Sequence, residues 1–171
     1  MDNEKLITRA REIMMEAYQY PKKDVQYTSL LDDMFATNNL SYKCWRFDTF
    51  LGGQDKLALQ RVLAMFYDLI KHNVNPTYDP TDENIQSWFN QELTPHQLTF
   101  LGTALRLLHK AKDEDYARYI KRISTNSNAA IIKVADLIRR MNGPWAENLI
   151  DECQLEFMYL AGEYWLEPVI K

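Results

Sequence analysis

Leu57-Ala58-Leu59-Gln60-Arg61-Val62-Leu63-Ala64-Met65-Phe66-Tyr67-Asp68-Leu69-Ile70 is the stretch on which the fold turns. Its strongest apolar residues, Leu57, Val62, Leu63, Phe66, Leu69 and Ile70, recur largely at three- and four-residue steps. Side chains three and four apart stack on one face of an α-helix, whereas a half-buried strand would alternate every second residue. The spacing predicts a long, strongly apolar helix that other elements surround.

Outward from it, the same period repeats. On the N-terminal side, Leu6, Ile7, Ala10, Ile13, Met14 and Ala17 form a core-facing stripe. Pro21 ends that helix, because proline has no amide donor and its ring clashes with the preceding turn. A shorter helix is expected from Thr28 to Phe35. Thr37 to Gly53, with Asn38-Asn39, Gly52-Gly53 and the rings of Tyr42, Trp45, Phe47 and Phe50, reads as a short helix between two loops.

On the C-terminal side, Asn73 to Pro80 reads as an ordered surface loop, with Pro76 and Pro80 breaking the period. Thr81 or Asp82 then starts a short helix carrying Ile85, Trp88 and Phe89. Thr94-Pro95-His96-Gln97 is a sharp start signal: a threonine cap, proline at the first helical position and glutamine closing a capping box. That helix is expected to run to about Lys110. Asp113-Glu114-Asp115 puts negative charge at the start of the next, where it complements the helix dipole. Ala129 to Met141 and a last helix from Trp145 through Tyr164 complete an all-α chain of about seven to eight helices. Residues 1–171 are read as one domain, without internal repeats.

Composition agrees. Only five glycines and 46% hydrophobic residues in 171 argue against a turn-rich β architecture and for one sizeable core. The net charge of -4 disfavours nucleic acid as a partner, since binding a phosphate backbone needs clustered cations. No apolar run approaches the length of a membrane span, and the charged start lacks a signal-peptide core, so a cytoplasmic location without membrane contact is expected. The two cysteines, Cys44 and Cys153, lie far apart among apolar neighbours and read as buried thiols.

Few residues carry the marks of chemistry. His72, His96 and His109 stand at expected helix ends, without a ligand partner at metal-binding spacing. The chain has neither a glycine-rich phosphate loop nor a nucleophile elbow. Asp32-Asp33 reads as a solvated pair. Asp136 differs, because it interrupts the apolar run Ile131 to Ile138. A carboxylate there needs a partner or suffers desolvation. Lys133 or Arg140 on the same face can supply one, and a site role is the other reading.

Leu107 to Ile123, with Tyr116-Ala117-Arg118-Tyr119-Ile120-Lys121-Arg122-Ile123, then Asn126, Ala129 and Lys133-Val134-Ala135-Asp136-Leu137, resembles the C-terminal part of HD-domain phosphohydrolases of the guanosine-tetraphosphate hydrolase type. The resemblance implies an HD-like scaffold with Asp136 at the place of a metal ligand. It also implies departures elsewhere. Leu30 stands where a ligand histidine belongs, Tyr67 replaces the histidine of the His-Asp pair, Lys71 stands where an acidic residue is usual, and Arg139-Arg140 replaces His-Asn. Asp68 and Asp136 alone remain of the ligand set. Two carboxylates without imidazoles make a poor transition-metal site, holding at most Mg²⁺ or Mn²⁺ weakly.

The resemblance therefore implies a non-enzymatic interaction or regulatory protein, of inhibitor or immunity type, with another protein as partner and with neither cofactor nor catalytic residue. Tyr42, Trp45, Arg46 and Phe47 are the expected partner-binding residues, since aromatics with arginine anchor interfaces; the other reading is that these rings finish the core. The alternatives are a metal-dependent nucleotide phosphohydrolase and a nucleotide sensor that receives an anion on Lys71, Arg139 and Arg140.

Overall fold

The computed structural model describes residues 1–18, 49–71 and 78–141; within its helices, the side chains of residues 18, 49–52, 68, 71 and 138–141 lie outside the description. Six helices follow in order: α1 (Asn3–Tyr18), α2 (Thr49–Lys71), α3 (Asp82–Trp88), α4 (Pro95–Leu108), α5 (Tyr116–Ile123) and α6 (Ser127–Met141). Every regular element among the described residues is helical. The expected helices at 28–35 and 145–164, the end of the α1 helix at Pro21, both cysteines, His72, Leu30, Asp32-Asp33 and the aromatic segment with Tyr42, Trp45, Arg46 and Phe47 lie outside the described residues. None of the described helices is long and apolar enough to cross a membrane.

α2 is the hub, packed against α1, α4 and α6, while α4 touches α3, α5 and α6 in turn. Val62, Leu63, Ala64, Phe66 and Leu69 are all fully buried, on more than one face of α2. A helix apolar around most of its girth is stable only when surrounded. From α1, Leu6, Ala10, Ile13 and Met14 enter the same core, which Ile85, Leu101, Leu105, Ile123 and Ile132 extend. Trp88 stacks on Phe66 with ring centroids 5.1 Å apart and planes 12° from parallel, and Phe89 meets the same ring at 5.7 Å. Arg9 donates to the Trp88 carbonyl at 2.9 Å, so α1 also fixes the end of α3.

Four boundaries differ from expectation. Gly52-Gly53 was expected to close a loop, yet the helical segment already starts at Thr49 and carries its break at Gly53, with φ 66° and ψ -171°. Glycine alone adopts that conformation readily, so the expected break becomes a kink. Asp113 and Glu114 do not enter the first turn of α5, as the charge pattern predicted. Asp115 caps it instead, accepting from the Arg118 amide at 3.1 Å, and α5 begins at Tyr116. The capping box at α4 matches the sequence signal: Thr94 Oγ1 accepts from the Gln97 amide and Gln97 Oε1 from the Thr94 amide. α4 ends at Leu108 rather than Lys110. α6 starts at Ser127, two residues early, because Asn126 Oδ1 accepts from the Ala129 amide at 3.0 Å and caps it.

Candidate functional site

α2 and α6 run side by side in the same direction. Gln60 Nε2 donates to the Asn128 carbonyl at 3.2 Å, and two turns further along both helices the Tyr67 hydroxyl donates to Asp136 Oδ2 at 2.8 Å. Asp136 has no exposed surface and Tyr67 only 2%. A carboxylate so deep requires compensation, and part of it comes from its own helix: Lys133 Nζ lies 3.5 Å from Asp136 Oδ2, with side-chain exposures of 4% and 0%. Of the two partners that spacing allowed, Lys133 is therefore engaged.

α5 completes the cluster. Lys133 Nζ lies over the ring of Tyr116 at 5.4 Å and over that of Tyr119 at 5.6 Å from the centroids. The two rings, one helical turn apart on α5, meet at 5.7 Å with their planes tilted by 55°. An ammonium within about 6 Å of a ring centroid is attracted by the ring's negative face, more strongly when desolvated. The Tyr119 hydroxyl donates to the Leu108 carbonyl at 2.7 Å, taking one of the carbonyls left open at the end of α4. Burial pushes the Tyr119 phenol well above its ordinary range, with Tyr116 and Asp136 adding to the effect. It stays protonated and donating.

The positions singled out in the sequence divide accordingly. Tyr67 and Asp136, 69 residues apart in the chain, come into contact. Asp68 and Lys71 lie on α2, and Arg139 and Arg140 on the last turn of α6, with side chains outside the description. Because the two helices run parallel, the register places Lys71 one turn past Tyr67 and Arg140 one turn past Asp136, at the same end of the pair. His96 and His109 are exposed at the ends of α4, as the sequence predicts. Tyr116 and Tyr119 enter the sequence reading only within the stretch that carries the family resemblance; their spacing of three residues puts both rings on one face of the helix.

Comparison with protein-family models, curated proteins and solved structures finds no match to this chain.

Two further features frame it. Arg122 on α5 holds the 109–115 connection through Nε to Glu114 Oε1 at 2.9 Å and Nη2 to Glu114 Oε2 at 2.8 Å. It also donates to the carbonyls of Arg106 and His109, both at 3.1 Å. This fixes α5, and with it the two rings over Lys133. A cleft of about 340 Å³, lined by Asp2, Asn3, Asp55, Thr94, His96 and Gln97, opens at the other end of α2. Asp55 is twelve residues from Tyr67, roughly 18 Å along the helix at its rise per residue, so the cleft is separate from the cluster. Among the described residues, no three His, Cys, Asp or Glu side chains gather where they would hold a metal ion.

Proposed function

We propose that this chain is a non-enzymatic regulatory protein, of inhibitor or immunity type, that acts inside the cell by binding another protein through a degenerate HD-like scaffold. One observation carries the reading. The Asp136 carboxylate, where the family resemblance calls for a metal ligand, already has a phenol on it at 2.8 Å and an ammonium at 3.5 Å. A metal-bound water acts as nucleophile only where the ion keeps an open position among ligands that can dehydrate it. Tyr67 and Lys133 meet both needs of a buried carboxylate, a hydrogen-bond donor and a positive charge, without leaving such a position. The contact between positions 67 and 136 also supports the HD-like reading, because the resemblance implies that these two helices share one site.

The test is a phosphate-release screen of purified protein against guanine nucleotides with Mn²⁺ or Mg²⁺, run beside affinity capture and reconstitution with the purified partner. The reading expects no turnover and a stoichiometric complex. Metal-dependent phosphate release above a Lys133→Met control would overturn it.

The helix register supports a second reading. Lys71, Arg139 and Arg140 at one end of the α2–α6 pair would present three cations to an anionic ligand, making the chain a nucleotide sensor. The same placement also complements two helix C-termini, which favour positive charge without any ligand. Thermal shifts against a nucleotide panel separate the two, since a ligand selective for the folded state raises its melting temperature by mass action.

A further inference from the structure

A lysine near a helix surface ordinarily lays its methylenes on the protein and keeps its ammonium in water. Lys133 does not. It is 3% exposed, and its Nζ reaches inward to a carboxylate and two ring faces. Burying an ammonium away from water is costly, so the surroundings must be complementary to it. They are arranged for that. The Tyr67 hydroxyl is turned onto Asp136 and the Tyr119 hydroxyl onto the Leu108 carbonyl, so Tyr119 offers the ammonium its ring face rather than its oxygen. Tyr116 lies beside Tyr119, its ring 5.4 Å from Nζ and 5.7 Å from the Tyr119 ring, and being 36% exposed it is also the wall nearest solvent.

We propose that Tyr116, Tyr119 and Asp136, with Tyr67 orienting the carboxylate, form an ammonium-binding site that the chain fills with its own Lys133 and that accepts a primary alkylammonium ion when this side chain is removed. The chemistry separates it from a metal site. Mg²⁺ and Ca²⁺ take six or more oxygen ligands at short distance, whereas two ring faces and one shared carboxylate suit a monovalent organic ammonium. The inference stands apart from the regulatory reading, since it concerns what the cluster recognises and not what the protein does.

Lys133→Ala deletes the atoms equivalent to propylammonium. Thermal denaturation of this variant is followed with propylammonium chloride at about 0.1 M, a level at which exposed charges are already screened. 1-Propanol tests for simple cavity filling, and sodium chloride for salt. The expected result is a saturable rise in Tm with propylammonium that exceeds both controls and is missing in the wild type and in Lys133→Ala with Asp136→Asn. A rise no larger than that with either control overturns the proposal. Should Lys133→Ala fail to fold, wild-type NMR decides: the Lys133 ε-methylene protons are expected upfield of those of the solvated lysines, and to lose that shift in Tyr116→Leu. An ε-methylene at the solvated position would equally overturn it.

Discussion

At Asp136 two large terms oppose each other, the desolvation of a carboxylate and an ammonium against their mutual attraction and the hydrogen bond from Tyr67. When both charges are present the sum is small. When one is removed, the other is left buried without its counter-charge, at a cost of about 3–5 kcal/mol. Lys133→Met is therefore expected to lose about that much in urea denaturation, although methionine nearly fills the space. Adding Asp136→Leu and Tyr67→Phe should recover much of it, because the ion pair and the hydrogen bond among these three residues are then removed together. A triple variant as unstable as the single one would mean that the cluster contributes packing rather than charge compensation. Half of this cluster was legible in the sequence. A carboxylate inside Ile131 to Ile138 announces that it needs a partner, and the i, i+3 spacing of Lys133 offers one. Tyr67 was visible only as a replacement, and Tyr116 and Tyr119 only as part of the resembling stretch. Which ring meets which ammonium depends on the packing of α5 on α6, and no local pattern encodes that.

Elements were read best where several start signals coincide. Thr94-Pro95-Gln97 specifies the start of α4 because each residue satisfies a particular backbone group, whatever the remainder of the fold does. The beginning of α2 was misread because Gly52-Gly53 looks the same in a loop and in a kink. The two uses differ in φ, and φ 66° at Gly53 gives a direct consequence. A Cβ at Gly53 would meet nothing within 4 Å, so Gly53→Ala suffers from backbone conformation alone. A loss of about 1–3 kcal/mol is expected, the cost of holding an L-residue in a region that is essentially glycine's alone. The opposite holds after α3. Gln91 has φ 62° while its amide donates to the Gln86 carbonyl at 2.8 Å, so the chain is held left-handed by a residue that resists it. Gln91→Gly should raise stability by about 0.5–1 kcal/mol. Thermal denaturation of both variants checks the pair, and matching signs would contradict the conformational account.

For the whole molecule, the two ends of the pH scale test two different joints. Glu114 is held below the usual carboxylate range chiefly by its hydrogen bond from Arg122; burial opposes this, and the Ala111 amide and the charges of Arg122 and Lys110 assist. A depressed folded pKa gives stability that is fully present above the unfolded value of about 4.3 and is lost as pH falls through the folded one. The gap in stability between wild type and Glu114→Gln should therefore be widest near neutrality and close below about pH 4. Tyr119 works with the opposite sign. Its phenol is pushed up by burial, then by Tyr116 and Asp136, so its contribution is complete below the unfolded value of about 10 and fades as pH rises beyond it. Tyr119→Phe should cost about 1 kcal/mol at pH 7, for the lost bond to the Leu108 carbonyl, and less as the solution passes about pH 10. Urea denaturation of the three proteins across pH separates the effects, because Glu114 secures the 109–115 connection and Tyr119 secures the end of α4 against α5. If the Glu114→Gln gap stayed constant from neutral to acid, the Arg122 clamp would be holding α5 through its carbonyl contacts alone, and the ionised carboxylate would contribute nothing to keeping the rings over Lys133.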